Sequence, residues 1–196
     1  TVTMARRPTL AFLNRVSARD GGSLRILDVG FGDGDMLRRI ARWAKVRRKA
    51  VELVGIDLNP RSADTAHAAT PAHMAIDYRA GDYQTLADEP WDVILSSLVA
   101  HHMTHAELIA FLRFMDAKAR RGWFINDLHR HGFAYLGYPL LARSAGWHRI
   151  VREDGQLSIA RSYRPAEWSP LLGEAGIAHA RVFRTFPFRL CVEAIR

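Results

Sequence analysis

The sequence is poor in cysteine and in long apolar runs. Cys191 is the only cysteine among 196 residues, which excludes an internal disulfide, a zinc site built on several cysteines and Cys-pair redox chemistry. A reducing cytosol is therefore the expected compartment. No segment approaches the run of about 18 apolar residues that a membrane-spanning helix needs, and no apolar core of a secretory signal follows the basic N-terminus. The sequence begins at Thr1. Whether an N-terminal lid precedes this residue is a question that the sequence leaves open.

Lysine is also scarce, with three residues, so arginine supplies most of the positive charge. Lys and Arg number 28 against 20 Asp and Glu, a formal charge of +8. The densest basic run alternates with apolar residues at helical spacing, which predicts an outer helix face in solvent; it comprises Arg38, Arg39, Arg42, Lys45, Arg47, Arg48 and Lys49. An RNA substrate or an acidic partner surface is the alternative. Since no length remains for a separate nucleic-acid domain, nucleic acid is not the expected partner.

Strand and helix patterns alternate along the chain. Strands are predicted at 25–29, 51–56, 74–78, 91–95 and 122–125, with helices at 10–18, 35–48, 130–146 and 165–174, and a final antiparallel pair at 178–185 and 188–195. Asn59-Pro60 and the capping box Thr104–Glu107 predict two further helix starts. Repeated β–α units in one domain, residues 1–196, predict an α/β fold with a doubly wound, mostly parallel sheet. Such sheets bind ligands at the C-terminal ends of their strands.

A glycine loop, Gly30-Phe-Gly-Asp-Gly34, follows the first predicted strand. Glycines at such a turn let backbone amides approach a ligand closely. The dinucleotide pattern GxGxxG would need a third glycine at Asp35, and a carboxylate there disfavours a pyrophosphate. No GK[ST] follows, which excludes a P-loop. An ordinary strand-to-helix turn is the alternative interpretation.

Three acidic residues surround this loop: Asp28 before it, Asp57 at the end of the second strand and Asp82 after the third. A carboxylate in the place of Asp57 can accept hydrogen bonds from both hydroxyls of a ribose, and Asp82 can accept one from an adenine amino group. Three acids favour a ligand without phosphates that has free hydroxyls and a positive centre. S-adenosylmethionine is such a ligand.

Four motifs in order resemble those of the class I S-adenosylmethionine-dependent methyltransferases, in their small-molecule, quinone-methylase-like branch. They are Asp28 to Gly34, Ile56 to Pro60, Gly81 to Tyr83 and Trp91 to His102, within a match over roughly residues 20–127. The resemblance implies a seven-stranded Rossmann-like sheet whose last two strands form an antiparallel hairpin. It also implies a cofactor site formed by Asp28, Gly30, Phe31, Gly32, Gly34, Asp57, Leu58, Asp82, Tyr83 and Ser97.

The fourth motif also bears on the methyl acceptor. Ser96-Ser-Leu-Val99 replaces the [DN]PP[YFW] of base amino-methylases, and Cys191 is too late in the chain to serve a cytosine methylase. Ser96 and Ser97 supply no acid for a catechol-type magnesium site. The expected reaction is metal-independent transfer to a small organic acceptor, most simply the oxygen of an aromatic phenol, quinol or polyketide-like compound. The alternatives are C-methylation of a quinol ring and a methyltransferase-like module that binds nucleic acid or protein.

A phenolic acceptor needs a base, and histidine is neutral and available at pH 7. The resemblance favours His102, just past the fourth strand, while Asp127 and His129 follow the fifth. An exposed loop histidine and a helix N-cap at Asp127 are the alternatives, and the choice of base is left open between His102 and His129.

Residues 129–164 form a candidate insertion that covers the acceptor. Its aromatic residues either cover a planar acceptor or pack on the sheet. These aromatic residues are Phe133, Tyr135, Tyr138 and Trp147.

Overall fold

The computed structural model describes residues 6–19, 22–133, 135, 137–138 and 149–196. For residues 149–154 it describes the backbone only. Seven strands lie at β1 Leu24–Val29, β2 Val51–Asp57, β3 Asp77–Ala80, β4 Trp91–Ser97, β5 Ala119–Leu128, β6 Arg181–Thr185 and β7 Arg189–Ile195. The helices are α1 Arg6–Arg19, α2 Asp35–Arg47, α3 Pro60–Ala69, α4 His105–Lys118, α5 Arg149–Arg161 and α6 Pro165–Ala175. Short 3-10 turns cover Tyr83–Leu86 and Ala100–His102.

One seven-stranded sheet runs in the order β3-β2-β1-β4-β5-β7-β6. The first five strands pair in parallel. Strand β7 is antiparallel to both β5 and β6. This confirms the predicted doubly wound sheet and its C-terminal hairpin. The strand order reverses between β1 and β4, which is where such sheets open a crevice for a ligand.

Apolar residues cover both faces of the sheet. One cluster joins α1 and α2 to the sheet, with Phe12 stacked on Phe124 at a centroid distance of 5.0 Å. The opposite cluster contains residues of α4 and α6, including the fully buried Phe111 and Trp168. Trp168 is therefore a core residue, and Cys191 is buried in the sheet. The two packed faces leave the strand ends as the place for a site.

Helix boundaries follow the predicted capping signals. The side chain of Asn59 accepts a hydrogen bond from the amide of Arg61, with Pro60 at the first helical position of α3. Thr104 and Glu107 form the predicted capping box of α4. Gly176, with a φ of 80°, caps the C-terminal end of helix α6. Among the described residues, no helix is long and apolar enough to span a membrane.

Several strands differ from their predicted bounds: β4 extends to Ser97 rather than residue 95, β6 begins at Arg181 rather than residue 178, and β3 and β5 change at both ends. Strand β3 begins at Asp77 rather than Met74, because the amide of Met74 closes a turn by donating to the carbonyl of Pro71. Strand β5 is longer than the predicted strand at residues 122–125. It pairs with β4 along one edge, beginning at Ala119, and with β7 along its other edge, as far as Leu128. Partners distant in sequence therefore decide the length of β5.

The basic run on α2 lies mostly in solvent, with one exception. Arg42, Lys45, Arg47 and Arg48 are exposed, as predicted. Arg38 is buried, and its guanidinium donates to the backbone carbonyl of Asp33 at 2.6 Å. The prediction that all these charges occupy the outer face was wrong for Arg38, which instead ties α2 to the glycine loop.

Candidate functional site

A cavity of about 490 Å³ opens at the C-terminal ends of β1, β2 and β4. This volume lies within the range of small-molecule and cofactor sites. Its walls combine apolar side chains with a few acids and one histidine. The lining residues are Val29, Gly30, Ile56, Asp57, Leu58, Gly81, Asp82, Tyr83, Gln84, Leu98, Val99, His102, Met103 and Glu107.

The glycine loop borders the cavity, and its first residue, Gly30, lines the wall. Gly30 has a φ of 74°, and a Cβ there would overlap the Cγ2 atom of Val99. Gly34 has a φ of 75°, and a Cβ there would lie 2.6 Å from the hydroxyl of Tyr78. Both positions therefore require glycine for conformation and for space. Gly32 has a φ of 57° with nothing near its missing Cβ, which leaves room for a ligand at the turn.

The carboxylate of Asp57 is fixed at the end of β2 by two backbone amides. Oδ2 accepts from Gly32 at 2.9 Å, and Oδ1 accepts from Asn59 at 2.9 Å. Each carboxylate oxygen can accept a further hydrogen bond. The carboxylate therefore presents two acceptor positions to the cavity, the arrangement that a pair of vicinal hydroxyls needs.

A second acid and an apolar surface lie farther along the same cavity. Oδ1 of Asp82 accepts from the amide of Gln84 at 2.9 Å, which orients the side chain at the start of the 3-10 turn. The ring of Tyr83 packs against Phe111 and keeps one wall rigid. Leu58 is 78% exposed and lies next to Asp57 in the cavity wall. An exposed leucine can pack on the flat face of a purine, and a hydrogen-bonded acid can accept a hydrogen bond from the edge of the purine.

Asp28 is buried beneath the loop rather than on the cavity wall. It is 1% exposed, and its Oδ1 atom finds no hydrogen-bond partner in the described part of the chain. Burial, and then the charge of Asp57, raise the pKa of this carboxyl from 3.8 to about 7. The Asp28 carboxyl is therefore poised to respond to a positive charge near the loop.

Four other predicted cofactor residues do not line the cavity: Phe31, Gly32, Gly34 and Ser97. The ring of Phe31 is buried in the core and lies 5.0 Å from that of Tyr78. Ser97 ends β4 and is partly buried, while the neighbouring Ser96 donates to the carbonyl of Val29 at 3.1 Å. This bond holds the ends of β1 and β4 together below the cavity.

The three predicted catalytic residues occupy different places. His102 lines the cavity. Asp127 is 2% exposed and lies within β5, not after it. Its alternative role as a helix N-cap was wrong, because β5 continues to Leu128 and the carboxylate pairs with the turn that follows β4.

That pairing involves His101, which sequence reasoning passed over in favour of His102. Oδ1 of Asp127 lies 2.7 Å from Nδ1 of His101, and Oδ2 accepts from the backbone amide of His101 at 3.0 Å. The rings of His101 and His102 lie 4.0 Å apart. Nε2 of His101 is buried with no partner among the described residues. The only sequence signal for this pair was the His-His dipeptide itself.

His102 is the more accessible of the two histidines. Burial, followed by the nearby charge of His101, lowers the pKa of His102 from its usual 6.5. The imidazole is therefore neutral at pH 7 and able to accept a proton. Its position in the cavity wall places this group beside any ligand held by Asp57 and Asp82.

His129 lies farther along the same sheet edge. It is 7% exposed, and it forms an isolated parallel bridge with Tyr163. Of the predicted aromatic segment, Phe133 and Tyr135 are exposed, whereas Trp147 lies outside the described residues. No group of three His, Cys, Asp or Glu side chains suited to a metal occurs in the described ranges.

Comparison with known proteins identifies the class. Residues 26–122 match the family model described as a methyltransferase domain. Comparison with the curated proteins finds no match. Among solved structures, the plantazolicin methyltransferase BpumL is similar at 18% identity and a TM-score of 0.71, with 100% of this chain and 86% of that chain covered.

Two further structures share the fold. The magnesium protoporphyrin IX methyltransferase of Synechocystis PCC 6803 is 20% identical, with a TM-score of 0.60 and 98% and 83% of the two chains covered. The CMeT domain of the citrinin polyketide synthase is 14% identical, with a TM-score of 0.68 and 94% and 50% covered. Together with the domain match and the cavity, the strand order defines the chain as a class I S-adenosylmethionine-dependent methyltransferase.

Proposed function

We propose that this enzyme transfers the methyl group of S-adenosylmethionine, without a metal ion, to the oxygen of a small aromatic acceptor such as a phenol, quinol or polyketide-like compound. The observation that carries the proposal is the position of His102. Its imidazole lies in the wall of the cavity that Asp57 and Asp82 also line. A neutral base is therefore adjacent to the place that suits the cofactor.

The cofactor would be held by the residues of the four motifs. Asp57 accepts hydrogen bonds from the two ribose hydroxyls, and Asp82 accepts one from the adenine amino group. Leu58 and Tyr83 cover the base, and Gly30, Gly32 and Gly34 allow the backbone to approach it. Bound here, S-adenosylmethionine supplies a methyl carbon activated by its sulfonium. We propose that Asp28, below the loop, favours the positive charge of this ligand.

The role of the protein in the transfer is alignment, exclusion of water and removal of one proton. The imidazole of His102 would accept the proton of the acceptor hydroxyl, and the oxygen would bond to the methyl carbon as the carbon–sulfur bond breaks, leaving S-adenosylhomocysteine as the second product. His101 and Asp127 hold the turn that carries His102. His129 stays the alternative base, at the β5 side of the same edge.

The relatives support a small organic acceptor. The similar structures are named for plantazolicin, magnesium protoporphyrin IX and a polyketide synthase. None of these three names describes a nucleic acid, and the basic run on α2 lies on a helix surface that does not line the cavity. We further propose that residues 129–164 cover the acceptor, and that the protein works in a reducing cytosol.

The experiment combines binding and product analysis. Calorimetry with S-adenosylmethionine and S-adenosylhomocysteine is expected to show binding of both ligands, and binding of neither would favour a methyltransferase-like binding module. Incubation with a panel of phenols, quinols and polyketide-like aromatics should then give a methyl ether. Nuclear magnetic resonance of the product separates an O-methyl from a C-methyl group, and a C-methyl product would contradict transfer to oxygen.

A further inference from the structure

Three segments of the chain converge where β5 ends. The amide of His129 donates to the carbonyl of Phe188 at 2.9 Å, which ties this end to the β6–β7 hairpin. The amide of Arg130 donates to the carbonyl of Tyr163 at 3.1 Å, which ties it to the connection between α5 and α6. This edge adjoins the turn that carries His102, because Asp127 near the end of β5 contacts His101.

Positive side chains from each segment gather there. In the hairpin, Arg184 lies opposite Leu190, and Leu190 lies opposite Asp127 in β5. Residues opposite one another share a face of the sheet, so Arg184 projects on the same side as Asp127. Burial, and then the charges of His131, Arg184 and Arg164, lower the pKa of His129. The charges of both arginines therefore act on the His129 ring, in line with the side of the sheet on which Arg184 projects and with the backbone contact of Arg130 to Tyr163.

The nearby carboxylates are already engaged. Asp127 pairs with His101. Glu167 forms an ion pair with Arg130 and accepts the backbone amide of Arg164. Within the described ranges, neither the Arg164 nor the Arg184 guanidinium has an ion-pair partner, whereas the arginines on β1 and β3 each pair with two carboxylates. Positive charge is therefore in excess at this edge.

A buried cation adds to this excess. Arg189 is 3% exposed, and its Nη1 atom has no hydrogen-bond partner in the described part of the chain. Burial lowers the pKa of its guanidinium, which reflects the cost of holding an incompletely paired charge away from water. An anion bound near the end of β5 would offset that cost.

Aromatic surface lies beside these charges. The ring of His131 stacks on Phe133 at a centroid distance of 5.6 Å and 20° between planes, and lies 5.3 Å from the ring of Phe188. Phe133 is 79% exposed. A planar ring next to unpaired guanidinium groups matches an aromatic ligand that carries an acidic group.

We propose that the methyl acceptor is an aromatic anion, whose carboxylate or phosphate is bound by Arg164 and Arg184 at the end of β5. This inference rests on the proposed function, since it specifies the acceptor of the same site. A charge-assisted contact between a guanidinium and an anionic oxygen fixes the orientation of the acceptor. The hydroxyl to be methylated is thereby directed towards His102.

The test measures acceptor binding separately from turnover. The native protein is saturated with S-adenosylhomocysteine and titrated with a hydroxynaphthoate, a hydroxynaphthyl phosphate and the neutral hydroxynaphthamide. The titrations are repeated with the double variant Arg164→Gln/Arg184→Gln. The matched control is Arg42→Gln/Arg47→Gln on the exposed face of α2, which changes the net charge equally.

The native protein is expected to bind at least one anionic compound about tenfold or more tightly than the amide. The preference should disappear in the double variant and persist in the control, and the preferred compound identifies carboxylate or phosphate. Equal binding of charged and neutral compounds, or a preference that survives in the double variant, overturns the inference. If the anion preference is found but no compound is methylated, the proposed function fails while the anion site stands.

Discussion

Asp127 and His101 form a buried pair that joins two neighbouring strand ends. Both oxygens of the Asp127 carboxylate contact His101, one at the Nδ1 atom and one at the backbone amide. The pair therefore fixes the side chain and the main chain of the 3-10 turn that carries His102. A buried carboxylate with two such contacts is costly to disturb, because removing one partner leaves the other polar group unsatisfied.

The first prediction concerns this pair. Asp127→Asn is expected to lower the free energy of unfolding by about 2–3 kcal/mol, since an amide cannot accept both hydrogen bonds equally well. Urea unfolding measures the loss. A double-mutant cycle with His101→Asn provides the control: the double variant should lose less than the sum of the single variants. Strictly additive losses would contradict direct coupling between the two residues.

The second prediction concerns His102 as the base. Because its pKa lies below 6.5, the imidazole becomes protonated only as the pH falls below that value, and turnover should decrease on this acidic side. His102→Gln is expected to lower kcat by about a hundredfold or more and to leave cofactor affinity nearly unchanged. His105→Gln, on the exposed start of α4, is the matched control. Native-like turnover in His102→Gln would transfer the role to His129.

The third prediction concerns Asp57. Asp57→Asn retains the shape of the side chain but loses the charge that holds two backbone amides and that we propose also binds two ribose hydroxyls. The affinity for S-adenosylhomocysteine should fall by about ten- to a hundredfold, the range for hydrogen bonds to a charged group. Calorimetry measures the change. Asp64→Asn, exposed on α3, should bind as the native protein does, and an unchanged affinity for Asp57→Asn would remove Asp57 from the cofactor site.

The fourth prediction concerns Asp28 and pH. Its pKa is raised from 3.8 to about 7 in the folded protein, so the folded state holds a proton that the unfolded chain releases. The stability that this proton contributes is fully present below pH 3.8 and is lost as the pH rises towards 7. The free energy of unfolding falls by up to about 4 kcal/mol over this range. Relative to the native protein, Asp28→Asn should therefore gain stability between pH 4 and pH 8.

Urea unfolding at several pH values measures this difference. Asp88→Asn, at an exposed position, should show a difference from the native protein that does not vary with pH. A flat difference for Asp28→Asn as well would mean that Asp28 is ionised throughout this range.

The fifth prediction compares two glycines. Gly30→Ala places a Cβ against Val99 at a φ of 74° and is expected to cost more than about 1 kcal/mol of stability, with weaker cofactor binding. Gly173→Ala, within α6, meets open space and should stabilise by about 0.5–1 kcal/mol, because alanine favours a helix interior. Thermal unfolding measures both, and equal effects would show that the loop conformation does not require Gly30.

The sequence by itself determined the order of the strands, the capping of α3 and α4 and the glycine loop with its acids, but it did not predict the helix α5. These features depend on neighbours a few residues away: apolar periodicity, the capping box of Thr104 and the motif around Asp57 are all local. Placement of Asp57, Asp82 and His102 on one cavity followed, because parallel strands bring their C-terminal ends to one edge. The motifs therefore predicted which acids and which histidine share the cavity.

Only the tertiary structure decided the features that depend on distant partners. The length of β5 depends on its pairing with β7, and the pairing of Asp127 with His101 depends on the register between β4 and β5. Phe31 turns into the core, and Arg38 leaves the solvent, because of what packs against them. Since burial and hydrogen-bond partners arise from contacts across the sheet, no local pattern carries them, and the contact of Asp127 with His101 emerged only with the fold.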